Sequence, residues 1–206
     1  MTKNCTKQAQ NRLAVFAACL LISFASALAK VTITAEPIAP QLVNPSFEDP
    51  GDAPDRAAGW GRWGNWFNRE DAWTPVRTGH CILGYHHWEI SDAGTSGAYQ
   101  DLADTTNSAS YTFGIYASLD KAKAATRDAL TIELRLESSA NGQQQTVASK
   151  VYRVADFIPD TWEKLTVSGT PINNALRVLV IVSPSPQNGT RGGALRFDDA
   201  FIERAN

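Results

Sequence analysis

The segment 129–137 constrains the fold more than any other part of the chain, because apolar and polar residues alternate along it. The apolar members are Leu130, Ile132, Leu134 and Leu136, and every residue between them is polar. A period of two places successive side chains on opposite faces of an extended chain, whereas a helix requires apolar residues three and four apart. The segment therefore predicts a β-strand with one buried face.

Several other segments have the same extended character. Residues 110–118 alternate in the same way, and Asn141-Gly142 is a typical hairpin turn. Residues 175–182 are more continuously apolar, which favours a central strand buried on both sides. The remaining predicted strands are 146–154, 162–167 and 194–203.

Helical signals are weak along the whole chain. Residues 120–128 are the best helix candidate, and they are too few for three amphipathic turns. Many short strands separated by Gly- and Pro-containing breaks are typical of sandwiches and jelly rolls. We therefore predict an all-β, single-domain fold, a jelly-roll β-sandwich of two antiparallel sheets.

The first 29 residues have the properties of a secretory signal peptide. Lys3, Lys7 and Arg12 form a positive start, residues 13–28 are almost wholly apolar or small, and residues 27–29 read Ala-Leu-Ala. This apolar run is shorter than the roughly 20 residues of a membrane-spanning helix. We expect residues 1–29 to be removed, 30–40 to form a leader or tether, and 41–206 to form the sandwich. The protein would then be secreted, periplasmic or held at the cell surface.

Charge and cysteine content limit the partners. The chain has a formal net charge of −2. Loss of residues 1–29 would remove three positive charges and make the net charge more negative. A mildly acidic surface disfavours nucleic acid and anionic membranes, which require basic patches, and suits a neutral ligand. Cys81 is the only cysteine beyond residue 29, so we expect it to be buried as a small apolar residue. A reactive thiol beside His80 is the less favoured alternative.

Aromatic residues are concentrated in one stretch, since five of the six tryptophans lie within residues 60–88. Indole rings can stack on the C–H faces of sugars while polar neighbours bind the hydroxyl groups. Trp60 and the distant Trp162 are expected in the core, whereas Trp63, Trp66 and Trp73 are expected at the surface. The predicted ligand-binding residues are Trp63, Trp66, Trp73, Asn65, Arg62, His86 and Trp88.

Three functional interpretations remain open at this point. The favoured one is a secreted, non-catalytic protein that recognises a polysaccharide by aromatic stacking. In the second, a structural or adhesive protein uses the same rings as core or as a protein interface. In the third, the chain is a small polysaccharide lyase or hydrolase, with candidate residues Tyr85, His86, His87, Tyr99 and Gln100. Consecutive histidines point to opposite faces of a strand, which disfavours a shared transition metal.

Two short segments at the ends of the predicted domain carry a family resemblance. The opening segment 42–48 reads Leu-Val-Asn-Pro-Ser-Phe-Glu with Gly59-Trp60 downstream, and the closing segment 195–202 reads Leu-Arg-Phe-Asp-Asp-Ala-Phe-Ile. Together they resemble the family 4/9-type carbohydrate-binding modules. Internal segments that resemble motifs of these modules follow in the same order at 77–81, 96–102 and 111–115.

The resemblance implies a jelly roll that binds β-glycans and holds a structural calcium ion where the first and last strands meet. The implied calcium ligands are Glu48 and Asp198 or Asp199, whose oxygens are of the kind calcium takes. Alternation along the closing segment predicts that Phe197, Asp199 and Phe201 share one face. A carboxylate between two core-facing rings is costly without a partner, and a cation would supply one. Calcium is therefore the expected cofactor, and the alternative is that both aspartates cap a loop or pair with nearby arginines.

Overall fold

The computed structural model describes residues 39–64, 67–71, 75–87, 94–121, 130–184 and 193–205. Ten β-strands and one short 3-10 helix, Val154–Asp156, are found in this part of the chain. The strands are β1 (Gly61–Trp63), β2 (Phe67–Glu70), β3 (Ile82–His87), β4 (Ser96–Leu102), β5 (Tyr111–Leu119), β6 (Leu130–Ala140), β7 (Gln143–Arg153), β8 (Glu163–Gly169), β9 (Leu176–Pro184) and β10 (Gly193–Arg204). None of the helices in these ranges is long and apolar enough to cross a membrane.

The strands form two five-stranded sheets. The first sheet has the order β1-β4-β9-β6-β7, and the second has the order β2-β3-β10-β5-β8. Every neighbouring pair is antiparallel, and the chain crosses repeatedly between the sheets. The predicted all-β jelly-roll sandwich of two antiparallel sheets is confirmed.

The core lies between the sheets and follows the alternation in the sequence. In β6, Leu130, Ile132, Leu134 and Leu136 are buried, and the residues between them are partly exposed. Strand β9 is the middle strand of its sheet, as its continuous apolar character indicated. The described residues belong to one compact unit, Pro37–Asn206.

Strand β10 departs from simple alternation, so the predicted shared face of Phe197, Asp199 and Phe201 is wrong. Its register against β5 shifts between Asp198 and Phe201, and Asp199 has a positive φ of 46°. Such a bulge moves the following residues to the other face. Phe197 and Ala200 both join the core, whereas Phe201 packs over the backbone of Gly114 on the outer face.

Three single-residue predictions have different outcomes. Trp60 is buried in the core against Phe47, with ring centroids 5.3 Å apart, and Cys81 is a buried free thiol, both as predicted. Trp162 is only half-buried and precedes β8, so its assignment to a core strand is wrong. Residues 1–38 lie outside the described residues, and the signal peptide and leader stay predictions.

Candidate functional site

Two aromatic rings lie side by side on the outer face of the first sheet. Trp63 of β1 and Tyr99 of β4 have ring centroids 6.2 Å apart and planes inclined by 41°. Both side chains are partly exposed. We call this pair the platform.

Two glycines make the platform possible. Trp63 pairs with Gly97 across the strands, and Tyr99 pairs with Gly61. A Cβ atom on Gly97 would overlap the Trp63 ring, and one on Gly61 would overlap the Tyr99 ring. Each ring therefore leans over the backbone of the neighbouring strand instead of standing away from the sheet.

An apolar floor continues from the platform onto β9. Gly97 pairs with Ile181, and Tyr99 pairs with Leu179, so these two β9 side chains share the outer face. They do not belong to the core cluster between the sheets, but they are only 3% and 5% exposed, so the apolar surface open to a ligand here is that of the two rings. The outer face of the first sheet is therefore apolar beside the two rings.

Ion pairs border this floor. Arg135 on β6 contacts Glu133 at 2.8 Å and Glu137 at 3.3 Å, and these hydrogen bonds raise the pKa of the guanidinium. Side chains two residues apart on a strand share a face, so all three lie on the outer face. Their hydrogen-bonding groups stand at the edge of the apolar floor.

A second ion pair adjoins Tyr99. Arg177 donates from Nε and Nη2 to the two carboxylate oxygens of Asp101, at 2.7 and 2.8 Å. Its guanidinium carbon lies 4.3 Å from the centroid of the Tyr99 ring, within the range of a cation–π contact. The platform thus has a fixed cationic, hydrogen-bonding neighbour on one side.

The predicted ligand-binding residues do not all share this face. Trp63 lies on the platform. Arg62 points to the other side of β1, where it hydrogen-bonds the Phe67 carbonyl, Asn68 and, at 2.7 Å, Asp55. The Asp55 contact lowers the pKa of the Asp55 carboxyl, and the contacts with Phe67 and Asn68 tie β1 to β2.

The other members of the predicted set lie elsewhere or are not described. His86 belongs to β3 of the second sheet, where its Nε2 lies 2.9 Å from a carboxylate oxygen of Glu70. It therefore lies on a different sheet from Trp63. The remaining predictions, Asn65, Trp66, Trp73 and Trp88, fall outside the described residues.

The three predicted calcium ligands all contact one segment, 77–81. Glu48 accepts hydrogen bonds from the backbone N–H groups of His80 at 2.9 Å and Cys81 at 3.0 Å. Asp198 accepts from the N–H groups of Arg77 and Thr78, both at 3.0 Å. Burial raises the pKa of the Asp198 carboxyl to about 6.

Asp199 contacts the same segment through side chains. It pairs with the Arg77 guanidinium and accepts a hydrogen bond of 2.6 Å from the Thr78 hydroxyl. The described part of the chain holds no cluster of three or more His, Cys, Asp or Glu side chains placed to bind a metal ion. The carboxylates thus supply suitable oxygens but are occupied by N–H, O–H and guanidinium donors, and calcium stays a prediction.

Four of the five residues of the enzyme interpretation do not converge, and the side chain of the fifth, His87, lies outside the described part of the chain. Tyr85 is buried in the core, and burial raises the pKa of its hydroxyl. The Gln100 side chain accepts a hydrogen bond from the backbone N–H of Val43 at 2.7 Å and donates one to the Val43 carbonyl at 3.0 Å. Tyr99 and His86 lie on different sheets. These candidates therefore provide no paired acid and base among the described residues.

Sequence reasoning missed several residues of the outer face. The sequence indicates Tyr99 only as a catalytic candidate and does not single out Arg135 or Arg177 as binding residues. The usable signal was the two small residues, Gly61 and Gly97, in otherwise extended segments. Their meaning depends on which strands pair, and the sequence does not show that.

Comparison with known proteins finds structural likeness alone. No protein-family model matches the chain, and no curated protein matches it. Solved structures do match. An arabinose-bound α-L-arabinofuranosidase, MgGH51, has a TM-score of 0.56 at 14% identity, and the match covers 81% of this chain but only 26% of the enzyme.

Two further matches contain carbohydrate-binding modules. The CBM22-1 xylan-binding domain of Paenibacillus barcinonensis Xyn10C has a TM-score of 0.50 at 15% identity, covering 82% of this chain and 97% of that domain. The CBM22-1–GH10 part of a Clostridium thermocellum xylanase, solved with xylohexaose, has a TM-score of 0.51 at 14% identity, covering 82% and 29%. The chain therefore has the β-sandwich fold of carbohydrate-binding modules, and its finer assignment to the family 4/9 type stays a prediction.

Proposed function

We propose that this protein is an exported, non-catalytic carbohydrate-binding protein that holds a polysaccharide on the outer face of the first sheet. One observation carries the proposal: Trp63 and Tyr99 form a partly exposed aromatic pair on the outer face of the first sheet. Stacking of sugar rings on such surfaces buries C–H groups, and the bordering charged side chains bind hydroxyls.

The charges around the platform favour a neutral glycan. Arg135 and Arg177 are each bound by carboxylates, from Glu133, Glu137 and Asp101. An acidic polysaccharide would have to compete with those carboxylates for the guanidinium groups. A neutral chain needs only hydrogen bonds, which paired charges still provide.

The fold supports the choice of first probes. A xylan-binding domain and a xylohexaose complex are among the structures with this fold. Soluble xylan and mixed-linkage β-glucan are therefore suitable first ligands, with a carboxylated polysaccharide such as polygalacturonate as the acidic comparison.

The test is retardation in native gels containing each polysaccharide, followed by tryptophan fluorescence titration. We expect Trp63→Ala to weaken binding at least tenfold, as for a central ring of an interface. Trp162→Ala is the matched control, since Trp162 is half-buried and lies outside the platform sheet. Equal binding by wild type and Trp63→Ala would contradict the proposal.

The same assay separates the alternatives. A structural or adhesive protein would bind none of the three polysaccharides. A lyase or hydrolase would release unsaturated products or new reducing ends, which we do not expect. The non-convergence of Tyr85, Tyr99 and His86 supports the absence of catalysis in this proposal.

A further inference from the structure

A cavity lies at one end of the platform face. It has a volume of about 190 Å³ and is lined by Asp101, Leu102, Gln144, Ala175, Leu176 and Arg177. Two of these residues, Asp101 and Arg177, form the ion pair beside Tyr99. The cavity and the platform therefore share a wall.

The strand register places both features along one line. Gly97, Tyr99 and Asp101 are alternate residues of β4, and they point to the outer face. The Trp63 ring lies over the first of them. Four residue steps along an extended strand span about 13 Å, so Trp63, Tyr99 and the Asp101 side of the cavity follow one another along β4.

Gln144 closes the far side of the cavity. It pairs with Ser139 of β6, and Thr146 pairs with Glu137. Because Glu137 faces outward and Ser139 lies two residues further on, Gln144 is also on the outer face. Its exposed amide can both donate and accept hydrogen bonds, which suits a sugar hydroxyl group.

We propose that the platform and this cavity form one continuous trough, which runs along β4 past Tyr99 and then across β9 towards Gln144 on β7, and which binds at least three consecutive sugar units of a neutral chain. Two units stack on Trp63 and Tyr99, and the next enters the cavity between Arg177 and Gln144. This inference rests on the proposed function. It adds the direction of the bound chain, its minimum length and a specificity role for Gln144.

Arg177 connects the two parts of the trough. Its two hydrogen bonds to Asp101 use two of the five guanidinium N–H donors. The guanidinium carbon lies over the Tyr99 ring. The Asp101 carboxylate thus holds Arg177 where it contacts both the stacked unit and the unit in the cavity.

The experiment is calorimetric titration of the protein with xylo- and cello-oligosaccharides of two to six units. Wild type should gain affinity up to at least three or four units. Gln144→Ala should lower the affinity for oligosaccharides of three or more units about three- to tenfold. The affinity for the disaccharide should stay unchanged. Ala175→Trp should have the same effect by filling the cavity, and Ala175 is exposed, so folding should survive.

Gln145→Ala is the matched control, because Gln145 follows in β7 but does not line the cavity. It should bind like wild type at every length. The trough is overturned if Gln144→Ala and Ala175→Trp match wild type at all lengths while Trp63→Ala abolishes binding. If no oligosaccharide binds, or Trp63→Ala binds normally, the proposed function itself fails and the trough fails with it.

Discussion

At the scale of single residues, the hydrogen atom in place of a side chain at Gly97 determines where the Trp63 ring lies. A Cβ at this position would overlap the end of the indole, and the ring would have to turn away. We predict that Gly97→Ala weakens polysaccharide binding about as much as Trp63→Ala, with little change in the free energy of unfolding. Gel retardation and urea unfolding measure the two effects.

The control for this substitution is Gly51→Ala. An added Cβ there would meet only ordinary contacts of 3.5 Å with the 57–58 backbone, and Gly51 lies outside the strands that carry the platform. Retained affinity in Gly97→Ala would mean that the indole position is unimportant for binding.

Asp198 makes a second residue-scale prediction, on pH. Burial raises its pKa to about 6, above the value of about 3.9 in an unfolded chain. Protonation therefore stabilises the fold: this contribution is complete below about pH 4 and is lost as the pH rises through 6.

In metal-free protein, we expect the free energy of unfolding of wild type relative to Asp198→Asn to rise by about 2 kcal/mol from pH 7 to pH 4. Asparagine does not titrate, so the variant isolates this carboxyl. Urea unfolding at several pH values gives the difference. A fall on acidification would show that Asp198 is held ionised.

At the scale of secondary-structure elements, Tyr152 links the edge strands of the two sheets. Its hydroxyl donates to the Thr166 carbonyl at 2.6 Å and accepts from the Thr166 N–H at 2.8 Å. Strand β8 is an edge strand, and unpaired edges invite association with other chains. The hydroxyl covers one such pair of backbone groups.

We predict that Tyr152→Phe lowers the free energy of unfolding by about 1–2 kcal/mol, because two part-buried hydrogen bonds are lost. Tyr116→Phe is the matched control, since the Tyr116 ring contact with Arg77 survives without the hydroxyl. Denaturant unfolding measures both variants. Equal stability of Tyr152→Phe and wild type would show that water replaces the hydroxyl at no cost.

The secondary-structure elements were the part of this protein most predictable from its sequence. Alternation located β5 and β6 within a few residues, because one buried face imposes a period of two, and a continuous apolar run located the central strand β9. The bulge in β10 was not predictable, since Asp199 at positive φ is stabilised by contacts with the distant Arg77 and Thr78. Trp162 was misplaced because a large ring next to a strand resembles a core residue in sequence.

At the scale of the whole molecule, the site depends on strand order, which a single sequence does not specify. Trp63 was identified because tryptophans cluster near it. Tyr99 is 36 positions further along the chain and meets Trp63 only because β1 pairs with β4. Arg177 joins them through the pairing of β4 with β9. A search for a local motif therefore finds one ring and misses the rest of the face.

The last prediction concerns calcium, which would act on the stability of the whole sandwich. Glu48 precedes the strands, Asp198 and Asp199 lie in the final strand, and all three contact the segment 77–81. A cation bound here would join the two ends of the domain.

Calcium binding to the folded state alone would add about 2.7 kcal/mol at a hundredfold excess over Kd, raising Tm by several degrees in a domain of this size. We expect a chelator to lower Tm and calcium, but not magnesium, to restore it. Glu48→Gln and Asp199→Asn should each reduce the shift, while Asp101→Asn, on the platform face, should retain it. Since Arg77 already neutralises Asp199, an unchanged Tm would mean that the guanidinium serves in place of the ion.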